Sequence, residues 1–236
     1  MSDYEFIDVD VRNGVARLTT NRPAVRNAQS RRLLEELDDA FARAGADRGV
    51  KVIALFGAGD HFSGGHDLGT ADERADREAR PLQPGLRGRF DHSRENYVEK
   101  TLRWRNVPKP TIAGVQGYCI FAGWLVASAM DIIYAADNAM FLGANFQYFS
   151  IPWDVHPRKA KEMLYESRFI DAEEAMALGL VNRVVPLVDL EGATIEYAER
   201  VAKNDPFQLR MKGARRPMVE RACENYRARK AAPEDS

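Results

Sequence analysis

Two apolar segments of strand length, each followed directly by a cluster of glycines, restrict most strongly what this 236-residue chain can fold into. The first spans residues 50–56 and the second spans residues 111–116. A strand without regular alternation of polar and apolar side chains is buried on both faces, so it needs a neighbouring layer on each side. The helical patterns elsewhere in the chain can supply those layers. The sequence therefore predicts an α/β fold.

Local signals predict the elements around these strands. Asn13-Gly14 accepts positive φ and lies between two short apolar segments, which predicts a β-hairpin. Ser30 is a suitable N-cap for a helix that runs to about Ala44. The recurring strand, strand, helix order predicts a coiled ββα architecture. The predicted strands cover 6–11, 15–20, 132–135 and 180–185, and the later predicted helices cover 93–107, 123–130, 157–166, 171–178 and 190–203.

The segment 71–94 differs from its surroundings in composition. It is highly charged and contains Pro81, Pro84, Gly85 and Gly88, which favour turns over regular structure. We expect a mobile surface excursion here rather than a second domain.

Charge and cysteine content exclude several classes of partner. Lys and Arg total 34 against 35 for Asp and Glu, a net charge of −1, so neither nucleic acid nor an anionic membrane is expected as a partner. Cys119 and Cys223 form no metal-binding or redox spacing, so we expect no metal site and a reducing compartment.

The polar, acidic start lacks the features of a signal peptide, which predicts a cytoplasmic protein. The uncharged stretch between Lys109 and Asp131 is broken by Pro110 and several glycines, so we expect protein core there rather than a membrane span.

The two glycine clusters are the best candidates for a functional site. One is Ser63-Gly64-Gly65-His66, and the other spans 117–123. Neither has the spacing of a P-loop or of a dinucleotide-binding turn. Backbone N–H groups from two such loops suit an oxygen that gains negative charge during a reaction, which predicts an oxyanion hole. A glycine loop of this kind taken alone is more often only a tight turn.

Several ordered motifs that contain these loops cover nearly the whole chain. Together they resemble the crotonase (enoyl-CoA hydratase/isomerase) superfamily. The resemblance implies a crotonase-like ββα spiral core over residues 1–186, with a C-terminal helical region for oligomerisation over residues 187–236. It also implies a homotrimer or a dimer of trimers, and coenzyme A as part of the substrate rather than as a separate cofactor. The motifs are Asn21-Arg22-Pro23, Arg26-Asn27-Ala28, Phe62-Ser63-Gly64-Gly65-His66-Asp67-Leu68, Pro108-Lys109-Pro110-Thr111-Ile112-Ala113-Gly114-Val115-Gln116-Gly117-Tyr118, Asp131-Ile132-Ile133-Tyr134-Ala135-Ala136-Asp137, and Ala175 with Gly179-Leu180-Val181.

The resemblance also assigns site residues by position. The oxyanion donors would be the backbone N–H groups of His66 and Ala122. Asp67 can instead be a structural cap for the following helix, which we favour over a role as catalytic base. The residues expected to contact the CoA moiety are Arg22, Val25, Arg26, Ala28, Gly65, Asp67 and Leu68.

This chain departs from the family pattern at the two glutamates that hydratases use for general acid–base chemistry. The first position falls on Leu125, which cannot transfer a proton, and the second falls near Asn145. Possible replacements are Tyr148 and Asp154 with His156. Each has a structural alternative, because Tyr148 could be a core or interface residue and Asp154 could cap the helix that begins at Pro157.

Two further polar residues, His92 and Tyr97, fall on or before the helix expected to cover the site. A solvated or core position is expected for both.

Three functions remain open from the sequence. The leading one is an enoyl-CoA hydratase/isomerase-like lyase that acts on an acyl-CoA thioester and stabilises its enolate. The second is hydrolysis of a CoA thioester or a β-dicarbonyl C–C bond on the same fold, for which Asp154 is the best proton-transfer candidate. The third is an acyl-CoA binding protein without catalysis, which Leu125 favours.

Overall fold

The computed structural model describes residues 4–143 and 155–204, and its centre is a six-stranded sheet in the order β1-β2-β3-β4-β6-β9. The hairpin pair β1 and β2 is antiparallel, and the other pairs in this sheet are parallel. A smaller sheet has the order β5-β7-β8. The strands are β1 (Ile7–Arg12), β2 (Val15–Thr20), β3 (Val52–Gly57), β4 (Thr111–Val115), β5 (Tyr118–Ile120), β6 (Ile132–Ala136), β7 (Met140–Leu142), β8 (Ile170–Asp171) and β9 (Arg183–Val185).

Helices cover both faces of the large sheet. None of the helices in the described ranges is long and apolar enough to cross a bilayer. The helices are α1 (Arg31–Ala46), α2 (Ala71–Ala79), α3 (Gly85–Ser93), a π-helical segment (Arg94–Glu99), α4 (Lys100–Arg105), α5 (Ala122–Ser128), α6 (Pro157–Glu166), α7 (Ala172–Ala177) and α8 (Leu190–Ala202).

The hairpin and α1 confirm the strongest local predictions. Asn13 and Gly14 have φ of 52° and 79°, as a tight turn between twisted strands requires. The Ser30 side chain accepts a hydrogen bond from the Leu33 amide at 3.2 Å, so Ser30 is the N-cap of α1. The helix buries its apolar face, including Leu33 and Phe41, in the main core.

Strand β3 is buried along its whole length and divides two hydrophobic clusters. Ile53 and Leu55 belong to the main core with α1, whereas Val52 and Ala54 pack with residues of α8 on the opposite face. Because successive side chains of a strand point to opposite faces, both faces of the sheet are covered. The α/β prediction is therefore confirmed.

The segment 71–94 lies mostly exposed on the surface, as expected, but it contains α2 and α3 in spite of its prolines and glycines. Thr70 caps α2 by accepting a hydrogen bond from the Glu73 amide, and Glu73 pairs with Arg77 one turn later at 2.6 Å. Arg31 of α1 pairs with Asp76 at 2.5 Å. Charged side chains thus dock α2 onto the body of the protein. Residues 71–99 are called the roof below.

The helix that begins at Pro157 also differs from prediction in its cap. The ring Nδ1 of His156 accepts a hydrogen bond from the Arg158 amide at 3.3 Å, so His156 is the N-cap. The assignment of this cap to Asp154 was wrong.

The C-terminal helical region predicted at 187–236 is described only as far as residue 204. Its helix α8 buries Leu190, Thr194, Ala198 and Ala202 and contacts β2, β3, β4 and β6. The described part of this region is therefore packed on the sheet. The division of the chain at residue 186 stays a prediction.

Candidate active site

The two glycine loops lie side by side at the ends of β3 and β4. A parallel bridge joins Ser63 to Cys119, with the Ser63 amide donating to the Tyr118 carbonyl at 2.9 Å and the Ile120 amide donating to the Ser63 carbonyl at 3.0 Å. Gly123 packs against Ser63 so closely that an added Cβ would lie 2.8 Å from the Ser63 carbonyl oxygen. The fold therefore brings together two segments that are remote in sequence.

Gly65 shows why the first loop needs glycine. Its φ is +93°, in the region that residues with a Cβ rarely adopt. An added Cβ would also lie 2.8 Å from the carbonyl oxygen of Ile120 in the second loop. Conformation and close approach both require the absence of a side chain at this position.

A parallel bridge between Gln29 and His66 orients the amide of His66. The Gln29 amide donates to the Gly65 carbonyl at 2.8 Å, and the Asp67 amide donates to the Gln29 carbonyl at 3.1 Å. Both hydrogen bonds of this parallel bridge are made by the residues on either side of His66, Gly65 and Asp67, and not by the backbone of His66 itself. The His66 N–H is therefore directed away from Gln29, on the opposite side of the segment.

Ala122 occupies the corresponding position on the second loop. It is the first residue of α5 and is fully buried. The first amides of a helix have no acceptor within the helix, so the Ala122 N–H is available to a ligand oxygen. Phe121, immediately before it, has a φ of +47°. Such a strained backbone is found where a loop must present its groups in one particular direction.

Gln29 connects the two loops, and the sequence analysis did not single it out. Its backbone pairs with the segment around His66, and its side-chain Nε2 donates to the Ala122 carbonyl at 3.1 Å. Gln29 is 5% exposed, so both contacts are sheltered from water. A polar side chain directly after Asn27-Ala28, at a position that faces the core, was the available signal.

A cavity of 790 Å³ opens between the first glycine loop, Leu125 of α5 and the roof. His66 and Leu125 contribute to its wall on the side of the loops, and Leu125 lies one turn of α5 beyond Ala122. The roof contributes Leu82, Phe90 and Tyr97, among others. The volume and the largely apolar wall suit the acyl part of a small ligand.

A second cavity, of 530 Å³, lies elsewhere, and Asp8, Arg17 and Gln116 are among its lining residues. It contains neither His66 nor Leu125 in its wall. We therefore take the larger cavity, next to the two glycine loops, as the candidate active site.

Arg22 is held by groups of the protein itself. Its side chain is 4% exposed and donates to Asp67 Oδ2 at 2.9 Å, to Thr70 Oγ1 at 3.0 Å and to the carboxylate of Asp72. A further hydrogen bond reaches the Ala28 carbonyl at 2.5 Å. This arrangement favours an internal role for the guanidinium, and direct contact between Arg22 and CoA stays a prediction.

Asp67 is a fully buried carboxylate that shapes the turn before α2. Burial alone would raise its pKa, but hydrogen bonds from Thr70, Gly69 and Arg22 lower the pKa overall. The carboxylate is thus kept ionised, and its oxygens already accept hydrogen bonds from the protein, which disfavours a role as catalytic base. The prediction that Asp67 caps the following helix was wrong, because the N-cap of α2 is Thr70; Asp67 instead accepts hydrogen bonds from the amide and the hydroxyl of Thr70.

The remaining residues expected to contact CoA lie near the first loop. Leu68 is 91% exposed at the rim of the cavity. Arg26 is exposed, and its carbonyl accepts a hydrogen bond from the Gly64 amide at 2.7 Å. Val25 and Ala28 are half-buried beside it. Their contacts with CoA stay predictions.

His92 and Tyr97 both belong to the wall of the cavity. Tyr97 also packs against the main hydrophobic core, which is one of the positions expected for it, whereas His92 is half-buried and lies in the wall alone. The rings of His66 and Tyr97 meet edge to face at 4.1 Å between centroids, and those of His92 and Tyr97 lie 6.2 Å apart. Burial raises the pKa of Tyr97, so its hydroxyl stays protonated. Tyr97 belongs to the π-helical segment, a feature that is frequent at functional sites, and His92 lies near the end of α3 just before it.

Three predicted site residues, Asn145, Tyr148 and Asp154, lie outside the described residues, and their roles stay predictions. Within the described ranges, no cluster of three or more His, Cys, Asp or Glu side chains could hold a metal ion. Cys119 is fully buried, and burial raises the pKa of its thiol.

Comparison with known proteins gives one consistent family. The model of the enoyl-CoA hydratase/isomerase family matches residues 10–231. The chain is 42% identical over 219 residues to EchA13 of Mycobacterium tuberculosis, assigned as an enoyl-CoA hydratase, with 85% of this chain and 68% of that protein covered.

Solved structures agree. A protein from Mycobacterium smegmatis described as a probable enoyl-CoA hydratase superimposes with a TM-score of 0.81 at 41% identity, covering 94% of this chain and 89% of that one. An enoyl-CoA hydratase/isomerase from Xanthobacter autotrophicus gives a TM-score of 0.80 at 32% identity, covering 97% and 83%. From its sequence, its ββα architecture and its paired glycine loops, this chain belongs to the enoyl-CoA hydratase/isomerase family, within the crotonase superfamily.

Proposed function

We propose that the protein binds an acyl-CoA thioester with its carbonyl oxygen between the amides of His66 and Ala122, and that these amides stabilise the enolate. The observation that carries the proposal is the contact of the two glycine loops through the Ser63–Cys119 bridge and through Gln29. One loop directs an amide away from its own hydrogen-bonded partner strand, and the other supplies the first amide of a helix.

Two fixed N–H donors suit enolate formation because negative charge moves onto the thioester oxygen as the α-proton leaves. Donors that are already oriented need no reorganisation at that moment. Removal of one such donor in other enzymes costs about 3–4 kcal/mol of transition-state stabilisation, or roughly 10²–10³ in rate. The main catalytic effect is thus assigned to the backbone, and side chains are left to transfer protons.

Hydration by a pair of glutamates is disfavoured in this chain. Leu125, at the first glutamate position, is a hydrocarbon side chain in the cavity wall. Among the described lining residues, Asp67 is the single carboxylate, and it is bound to Arg22. We therefore propose an enolate-forming reaction whose proton-transfer group lies among other residues, with Asp154 and Tyr148 as candidates and Asn145 as a possible hydrogen-bonding partner.

Leu125 also favours a second candidate function, the binding of acyl-CoA without turnover. The two candidates differ in one measurable property, because only a catalyst exchanges the α-protons of the bound ester with solvent.

The test is to incubate the protein with butyryl-CoA in D₂O and follow α-deuteration by NMR, with binding measured by calorimetry and thiol release followed by colorimetry. Accelerated exchange supports enolate formation. Binding without exchange supports the second candidate, and thiol release supports hydrolysis. Failure to bind any CoA ester overturns all three.

A sharper test removes a single N–H. An ester in place of the amide between Phe121 and Ala122 deletes the proposed donor without changing side chains. We expect exchange to fall by about 10²–10³, while butyryl-CoA still binds. The matched control is an ester at Ala127, inside the same helix, which weakens the helix but leaves the hole intact. Equal loss in both variants would contradict the assignment of Ala122.

We further propose a cytoplasmic homotrimer or dimer of trimers. Light scattering after size-exclusion chromatography tests the assembly, and a monomer over the micromolar range would contradict it.

A further inference from the structure

A hydrogen-bonded row of three polar side chains, His92, Asn96 and Lys100, runs from the roof to the first residue of α4. Asn96 is 6% exposed and Lys100 is 5% exposed, which is unusual for an amide and an amine. The Lys100 Nζ donates to Asn96 Oδ1 at 2.8 Å, and Asn96 Nδ2 lies 3.0 Å from His92 Nδ1. The row crosses the π-helical segment and ends at His92, in the cavity wall.

Two independent contacts fix which way the Asn96 amide faces. The ammonium of Lys100 can only donate, so it must meet the amide oxygen. The backbone carbonyl of His92 can only accept, and it lies 3.0 Å from Asn96 Nδ2. Both contacts give the same orientation, with the NH₂ group toward His92.

This orientation sets the tautomer of His92. Because Asn96 donates to Nδ1, that nitrogen must carry the lone pair, and in the neutral ring the proton must then lie on Nε2. Burial lowers the pKa of His92, the charges of Arg31, Arg77 and Lys100 lower it further, and only Glu73 opposes them. The ring therefore stays neutral near pH 7.

The polar group of the His92 ring that remains for a ligand is Nε2–H, and His92 lines a cavity whose wall combines apolar side chains such as Phe90 and Leu125 with the charged side chains of Arg77 and Arg94. A half-buried donor in such a wall is satisfied by a ligand acceptor and left without compensation by a hydrocarbon chain. The selectivity follows from the network and does not require His92 to take part in proton transfer.

We propose that His92, held by Asn96 and Lys100 as a neutral Nε2–H donor, selects acyl-CoA esters that carry an oxygen acceptor on the acyl chain over those with a plain hydrocarbon chain. The CoA thioester as ligand rests on the proposed function, whereas the tautomer rests on the hydrogen bonds alone. His92 is a specificity-determining residue, and Asn96 and Lys100 are positioning residues.

The first test needs no ligand. ¹⁵N NMR of the four histidine rings distinguishes Nε2–H from Nδ1–H tautomers, and His92→Phe identifies the signal of His92. We expect Nε2–H in the wild type. In Asn96→Asp the carboxylate accepts rather than donates, so the proton moves to Nδ1 or the ring becomes charged. An Nδ1–H or mixed tautomer in the wild type would overturn the inference.

The second test measures ligand preference by calorimetry. The probes are hexanoyl-CoA and its analogues with a hydroxyl group at carbon 3, 4 or 5. We expect at least one hydroxylated ester to bind about 5- to 30-fold more tightly than hexanoyl-CoA. His92→Phe should abolish this preference but keep hexanoyl-CoA binding, and Asp91→Asn, on the exposed side of the same helix, should leave the preference unchanged.

The outcomes separate the two levels of the argument. If no hydroxylated ester is preferred, or if His92→Phe keeps the preference, the inference fails although the proposed function stands. If hexanoyl-CoA and its analogues all fail to bind, the proposed function fails, and with it the ligand class inferred for His92.

Discussion

The two walls of the cavity are held in place by different kinds of interaction. The wall that carries the glycine loops follows buried strands and is held by backbone hydrogen bonds, tight glycine contacts and the fully buried Arg22–Asp67 pair. The roof is held partly by half-exposed arginine–carboxylate pairs to neighbouring helices, such as Arg80–Glu35 and Arg103–Glu95. Buried polar groups hold one geometry because any displacement leaves them without a hydrogen-bond partner. Exposed ion pairs rearrange at a small cost in free energy, because water can replace the partner.

This contrast separates two tasks. The rigid wall positions the amides expected to meet the reacting carbonyl, and the roof meets the variable part of a ligand. A family that keeps one reactive group but changes its acyl chains would be expected to alter the roof. The following predictions, ordered from the largest expected effect to the smallest, test whether the two walls differ as described.

The largest effect is expected at Arg22, which pairs with Asp67 beside the first glycine loop and with Asp72 in the roof. Arg22→Met leaves the fully buried carboxylate of Asp67 without its cation, which should lower the free energy of unfolding by about 3 kcal/mol. Denaturant titration measures the change. Arg26→Met is the matched control, because Arg26 is exposed and should change stability by less than about 0.5 kcal/mol. Similar losses in both variants would show that the buried pair is not special.

A smaller loss of stability, together with a large loss of activity, is expected for Gly65→Ala. A methyl group there meets the Ile120 carbonyl and a φ of +93°, at a cost of about 1–3 kcal/mol. Its neighbour provides the control, since the added Cβ of Gly64→Ala would lie an ordinary 3.5 Å from Arg26 Cβ. α-Proton exchange and thermal unfolding measure both variants. An active, stable Gly65→Ala would refute the close approach of the two loops.

Gln29→Met tests the connection between the loops. Loss of the hydrogen bond to the Ala122 carbonyl should cost about 1 kcal/mol of stability and also slow α-proton exchange. Gln116→Met makes a fair comparison, because Gln116 is also buried and donates to the carbonyls of Gly57 and Gly59. It should cost stability but spare exchange. If exchange falls equally in both, Gln29 has no particular role at the site.

The smallest effect is expected in the roof. Arg80→Gln removes half-exposed ion pairs to Asp76 and Glu35, and should change the free energy of unfolding by about 0.5 kcal/mol or less, and by less still at high salt. Chemical denaturation at two ionic strengths measures it. A loss comparable with that of Arg22→Met would remove the contrast between the walls.

The sequence predicted the rigid wall well because its signals are local. The Asn13-Gly14 turn, the Ser30 cap and the apolar strand β3 each follow from residues that are adjacent in the chain. The glycine loops were recognised for the same reason. Gln29 was missed, since its two contacts join segments that only the fold brings together.

The roof was predicted poorly because its stability comes from remote partners. Arg31, far away in the chain, docks α2 through Asp76, so the prolines and glycines of the segment did not decide its structure. His92 was misplaced because the residues that form the cavity wall with it, such as His66 and Leu125, are remote from it in the sequence.

The bridges Ser63–Cys119 and Gln29–His66 have a consequence for how activity is acquired during folding. Three segments distant in sequence must meet before either amide has its direction, and such nonlocal closures come late because chain entropy opposes them. A nascent or truncated chain could hold most of its helices and still lack any reactive centre. Catalytic activity would then appear in one step, when the tertiary structure is complete.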